Sequence, residues 1–326
     1  MNKRGIELQF HWIFIMVAGA LILTFFGTIA QKQYNLSVQK AEYQLVNDLE
    51  TAFSITLKTP NIVNSLFISS PIEFKCTDEC SCAYKIGSAE LPFYNKLIFS
   101  ADKQSGDVKL WSPDFEKPFR AATFMIISSD ENKYYLVHDL DTTELEKLKS
   151  KLNNQLNIEF INRNKAEQKQ YSGEKKTRFI YYLTSPTTID SSFNDKDVDA
   201  VQLDNSGSVS FYNYEGQFIN KGFSQYSQDD ASFFAAMFSA DKNMYECQMK
   251  KVFKRLSEVG EVYKERTNQL LVSNPNCLYF ANKIENVKSI ASDADLKRFS
   301  ELNGAANDLE RHNQEDIIKS GCPEIY

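Results

Sequence analysis

The sequence predicts an α+β protein: an N-terminal transmembrane helix running into a stalk helix, an antiparallel-rich α+β head, and a C-terminal helical bundle. Three observations carry this. Residues 10–30 (FHWIFIMVAGALILTFFGTIA) hold no Asp, Glu, Lys or Arg. Short aromatic and β-branched runs separated by turn residues follow, and the last hundred residues carry apolar stripes at helical spacing.

The elements follow in chain order. The 10–30 run has the length that a bilayer core demands of a helix. Trp12 near its start suits the interface, where the His11 imidazole can also reach the headgroups. Lys3 and Arg4 precede it, whereas Lys32 and Lys40 follow more sparsely. That bias predicts residues 1–9 as a cytoplasmic tail and the bulk of the chain as extracytoplasmic in a single-pass cell-membrane protein. Residues 31–58 read as the stalk, with Leu36, Ala41, Leu45, Leu49, Ala52 and Phe53 on a helical stripe and Pro60 closing it.

Residues 60–228 form the predicted α+β region. Strand-like runs occur at Ile72–Phe74, Leu97–Phe99, Val108–Trp111, Phe124–Ile127 and Tyr134–Val137. A helix is predicted next, with Asp141 able to cap it, Glu144 three residues on, and Leu145, Leu148 and Leu152 facing inward. Strands resume at Ile158–Phe160, Phe179–Leu183, Val201–Leu203 and Val209–Tyr212. The run Glu174-Lys175-Lys176 reads as a surface turn. Two short parallels suggest an internal duplication, Ser105–Trp111 with Ser206–Tyr212, and Asp130/Asn132/Tyr134 with Asp241/Asn243/Tyr245.

Residues 229–326 form the predicted helical region. Met249, Val252, Leu256, Val259, Tyr263 and Leu270 make one stripe, with Arg266 at the odd position. Ser273-Asn274-Pro275-Asn276 breaks it. Cys277, Phe280, Ile284, Val287 and Ala291 make the next stripe, and Phe299, Leu302, Ala306 and Leu309 mark a third segment over 296–318. These stripes are core seams, or a surface for a helical partner.

The formal net charge of −6 argues against a nucleic-acid partner. Six Cys point to an oxidising compartment. A straight helix from Cys247 to Val272 is nearly 40 Å long at the rise of an α-helix, so Cys277 starts the returning helix far from Cys247. The third segment reverses again and brings Cys322 towards Cys277. Cys247 is then left for the first cluster, in which Cys76 pairs with Cys80 or Cys82. The alternative is a metal site, with Cys76, Cys80 and Cys82 as thiolates and His138 or Cys247 as the fourth ligand.

Candidate chemistry is sparse. His138, Asp139 and Asp141 lie at a strand end before a helix, where α/β enzymes place active sites. Asp195, Asp197 and Asp199 put carboxylates at every second position, as calcium loops do, but Ala200 stands where the EF-hand glycine would be. His312 on a polar helix reads as a solvated residue. The sequence has no Walker A, G-x-G-x-x-G, H-E-x-x-H or G-x-S-x-G pattern, and no motif that calls for a cofactor.

Lys3-Arg4-Gly5 before an apolar helix resembles the processing site of type IV pilin-like precursors. The resemblance implies cleavage after Gly5, although Phe10 stands at the fifth mature position where that family carries Glu. The whole layout is similar to uncharacterised archaeal-type single-pass surface proteins. The expected function is a membrane-anchored structural or interaction protein, such as a surface-assembly subunit. Its expected partners are the lipid bilayer and proteins met through the stalk and C-terminal helices. The alternatives are an anchored extracytoplasmic hydrolase around His138 and a ligand-binding module.

Overall fold

A computed structural model describes residues 4–139, 143–152, 156–174, 176–194, 197–226 and 229–326. The chain forms two compact units, residues 1–48 and 49–326.

The first unit is the greater part of helix α1 (Arg4–Lys58). Among the described residues, one helix is long and apolar enough to cross a membrane, and it is this one. Its large side chains are bare: Leu23 is 75% exposed and Phe14 70%. The two threonine hydroxyls return to the helix's own backbone, Thr24 donating to the Ala20 carbonyl and Thr28 to the Phe25 carbonyl, each at 2.8 Å. A polar side chain in hydrocarbon has no better acceptor.

The last turns of α1 belong to the second unit. Leu49, Phe53 and Thr56 are buried. Glu50 accepts from the Tyr84 hydroxyl at 2.7 Å and from the Lys96 ammonium. After α1 come β1 (Val63–Cys76), β2 (Cys82–Ile86), β3 (Ala89–Pro92), β4 (Ile98–Ser100), β5 (Lys103–Trp111), β6 (Asp114–Glu116), β7 (Arg120–Thr123), β8 (Met125–Ser129) and β9 (Asn132–His138). Then follow α2 (Thr143–Lys151), β10 (Ile158–Asn162), α3 (Arg163–Gln168), β11 (Lys176–Tyr182), β12 (Val198–Leu203), β13 (Ser208–Tyr214) and β14 (Phe218–Gln225). The chain closes with α4 (Asp230–Phe238), α5 (Lys242–Ser273), α6 (Ala281–Ser292) and α7 (Phe299–Arg311).

The strands make two six-stranded sheets and a small β6–β7 ribbon. The first, ordered β3-β2-β1-β5-β8-β4, is antiparallel except for the β4–β8 pair. The second, ordered β10-β9-β11-β12-β13-β14, is parallel from β10 to β12 and antiparallel beyond. The parallel strands carry apolar residues on both faces, because both are covered. Tyr134, Leu136, Ile180 and Val201 belong to the main core, while Tyr135, Val137, Phe179 and Tyr181 belong to a second core on the other face.

The C-terminal helices share the main core with the strands. Tyr245, Met249, Val252 and Phe253 of α5 lie in one apolar cluster with Phe99, Trp111 and Phe124. The boundary at 228/229 is therefore a change of secondary structure inside one compact unit. The stripe on α5 is an interior seam over its first half, with Met249, Val252 and Leu256 fully buried.

Three expectations change. The 296–318 segment is not one helix: a 3₁₀ turn (Leu296–Arg298), α7 and a π-helical turn (His312–Ile318) divide it. His312 is not solvated: three residues after Leu309, it continues the buried face of α7, and its ring meets Phe280 at 4.8 Å between centroids. The segments matched as a duplication share strand at Val108–Trp111 and Val209–Tyr212 but differ elsewhere. Ser105–Asp107 lies inside β5, whereas Ser206 and Gly207 turn between β12 and β13. Asp130 and Glu131 link β8 to β9, whereas Asp241 caps α5.

Three disulfides staple the second unit: Cys76–Cys82, Cys80–Cys247 and Cys277–Cys322. No free cysteine remains, so the zinc alternative has no thiolate to use. The first bond closes the β1–β2 hairpin, where Cys76 and Cys82 are register partners. The second ties the residues between β1 and β2 to α5 across 167 positions of sequence. Chain-entropy arguments make the long-range bond the stronger. Replacing Cys80 and Cys247 by Ser should lower unfolding free energy by about 5 kcal/mol, and replacing Cys76 and Cys82 by about 2 kcal/mol. Denaturant titration of the oxidised variants checks the order.

Candidate functional site

The densest chemistry in the folded unit is a buried charge cluster on β11 and β12. Arg178 and Asp199 are register partners on these parallel neighbours, so their side chains leave the same face. The guanidinium is buried, and all five of its N–H groups are used. Nε and Nη2 donate to the two Asp199 oxygens at 2.6 and 2.7 Å. Nη1 donates to the Met237 carbonyl at 3.2 Å and to the Ser239 carbonyl. Nη2 also donates to the Ala240 carbonyl at 2.9 Å. Arg178 thereby satisfies the open carbonyls at the C-terminus of α4, where a cation is also favoured by the helix dipole.

Lys176 stands two residues earlier on the same face of β11. Its ammonium lies among three carboxylates, bonded to Asp102, 3.1 Å from Asp199 and 3.7 Å from Asp197. Burial pushes the Asp199 carboxyl up, but the Arg178 and Lys176 cations outweigh it and hold the group below the usual carboxylate range. Burial dominates at Asp197 and raises its carboxyl, against the pull of Lys176. The same carboxylates hold Lys176 above the usual lysine range despite its burial.

This cluster opens into a polar cleft of about 590 Å³ at the amino ends of β11 and β12. Lys176, Asp197, Asp199, Tyr212, Lys221 and Lys242 are among its lining residues. A second cleft of about 610 Å³ lies at the carboxyl ends of the same strands. It is lined by Lys151, Tyr182, Leu183, Asp204, Tyr226 and Phe233 among others. Strand carboxyl ends are the usual ligand position in open α/β sheets. Leu183 there has a φ of 57°, a left-handed conformation costly for a leucine.

The expected site residues are placed only in part. His138 ends β9 and is buried, Asp139 is exposed, and neither lines the two clefts. Asp141 lies outside the described residues, as does Asp195. Asp197 and Asp199 face Lys176 and Arg178 and so are committed to ion pairs; among the described residues no group of His, Cys, Asp and Glu could hold a metal ion. Gly5 sits in α1. The residues that sequence reading missed are Asp102, Lys176 and Arg178. Lys176 was expected in a surface turn but begins β11, and the Lys-x-Arg alternation leading into Phe179 was the available signal.

A comparison with family models, with curated proteins and with solved structures returns no match to this chain.

Removing one partner of a buried ion pair strands the other. Arg178→Met or Asp199→Asn should each destabilise the folded unit by about 3–5 kcal/mol in denaturant titrations. The double variant Arg178→Met/Asp199→Leu should lose less than the sum. Because the Asp199 carboxyl is depressed in the folded state, its contribution is full above the unfolded carboxylate pKa of about 3.9. It is lost as pH falls through the lower folded value. Asp197, raised by burial, contributes with the opposite sign. Melting temperature should therefore fall steeply below about pH 4, with the Asp199→Asn variant showing a shallower acid limb.

Proposed function

We propose that this chain is a membrane-anchored extracytoplasmic protein whose folded unit serves structure or interaction. The observation that carries the reading is the combination of one exposed apolar helix with a folded unit whose six cysteines are all oxidised. Bare Leu, Ile and Phe side chains on a single helix need lipid or protein to cover them. Three disulfides need a compartment that does not reduce them. The modest excess of basic residues before the apolar run supports a cytoplasmic N-terminus. Its partners on this reading are the bilayer and proteins met through the stalk and C-terminal helices.

A second reading, ligand binding by the folded unit, is favoured by the two polar clefts at opposite ends of β11 and β12. Assembly as a pilin-like subunit is the form of the first reading that a processed N-terminus would support.

Expressed intact, the chain should sediment with membranes and resist alkaline extraction. A variant lacking residues 1–31 should be released as a soluble, disulfide-intact protein. Recovery of the intact chain in the soluble fraction would sink the anchor. Sequencing the mature N-terminus separates the two forms of the first reading: Ile6 as the first residue supports assembly, and an unprocessed start supports a plain tether.

A further inference from the structure

A third cleft, of about 370 Å³, lies between β14, α5 and the 294–298 turn. Three lysines line it, Lys242 and Lys250 from α5 and Lys297 from the turn. Glu246 and Asp295 line it too, so the five charged groups carry one net positive charge. The Asp295 carboxylate accepts from the Lys297 backbone N–H at 3.0 Å, and Glu246 stands a loose 3.8 Å from the Lys242 ammonium.

Two features mark this cleft as built. Ser224 is only 5% exposed, and its hydroxyl has no hydrogen-bond partner among the described residues. A buried donor left open costs free energy unless something fills it. By strand alternation Ser224 shares a face of β14 with Gly222. Gly222 has a φ of 136°, and a Cβ there would stand 2.9 Å from Cδ of Lys242. The missing side chain lets the Lys242 stem cross β14. On the far wall, Gln225 with its amide nitrogen facing the turn donates to the Leu296 and Lys297 carbonyls at 3.1 and 3.0 Å. That contact fixes the turn against the strand.

We propose that this cleft binds a small tetrahedral oxyanion, inorganic phosphate or a phosphomonoester group. Lys242 forms its floor above the buried Ser224 hydroxyl, and the exposed Lys250 and Lys297 close over it. Ammonium groups arriving from separate elements suit a ligand with several acceptor oxygens, and lysine binds phosphate as a point charge. The two acidic neighbours restrict the site to a compact anion held by direct contacts, since the net field alone is small.

The test uses the full chain in neutral-detergent micelles at 0.15 M chloride, titrated with inorganic phosphate and followed by calorimetry. A second arm replaces free phosphate with micelles doped with phosphatidate, which carries the same group on a lipid. Saturable one-to-one binding in either arm is expected, and the arm that binds identifies the source of the anion. Lys242→Met and Lys297→Met should each weaken it about tenfold, and Ser224→Ala about threefold. Gly222→Ala should weaken it without changing any charge. Lys254→Met, on an exposed position of α5, removes the same charge elsewhere and should bind normally. Absence of saturable binding in both arms overturns the proposal. So does a loss in Lys254→Met equal to that in Lys242→Met, in variants whose circular dichroism matches the parent.

Discussion

A buried guanidinium has one low-energy arrangement: each N–H must meet an acceptor. Arg178 meets this requirement with the Asp199 carboxylate and three carbonyls from the end of α4 and the residues after it. The arrangement constrains much of the folded unit. A one-residue slip of β11 against β12 would set Arg178 opposite Val198 or Ala200 and leave a buried charge open. A shift of α4 along its axis would withdraw the Met237 and Ser239 carbonyls. Such a pair adds little net stability over an apolar pair of the same size. Its effect is to make the alternatives expensive, which suits a sheet whose apolar residues on both faces would otherwise tolerate several registers.

The disulfides act on the other side of the same unit. Cys247 lies in the second turn of α5 and joins the residues between β1 and β2, and Gln248 beside it donates to the Cys82 sulfur at 3.2 Å. The start of α5 is thus fixed to the first sheet by a covalent bond. Asp241 caps the helix directly after the carbonyls that Arg178 holds. One helix therefore takes its position from the second sheet at its cap and from the first sheet one turn later. This explains why strands and helices share one core.

What was legible in the sequence follows physical range. The apolar helix is a local property of composition and length, and it reads directly. The strands at 108–111, 134–137 and 179–182 read well because their burial shows as aromatic and β-branched density. The parallel pairing of the last two did not, because β9, β11 and β12 meet only through long connections and no local residue records the partner. The short strands β3, β6 and β7 have too few residues to show a period. His312 was misplaced because the polar residues around it hid that it extends the buried stripe of Leu302, Ala305 and Leu309 at helical spacing. Lys176 and Arg178 were missed because charge on a strand usually marks an exposed face. Here the compensating carboxylates come from positions 21 to 74 residues away in sequence.

The same geometry places Lys242 at a junction. It lines both the polar cleft at the amino ends of β11 and β12 and the smaller cleft beside β14. Its backbone follows Ala240 and Asp241, the one bonded through its carbonyl to Arg178 and the other capping α5. The Lys242 stem passes over Gly222. An anion drawing the ammonium toward Ser224 would take it from the side of the other cleft, where Lys221 and Lys176 would remain the nearest cations. If the proposed anion binds, the occupancy of one cleft and the charge of the other meet at a single side chain. A buried pair that fixes the backbone therefore stands beside a lysine that lines two clefts, so the backbone under both is held by the same contacts.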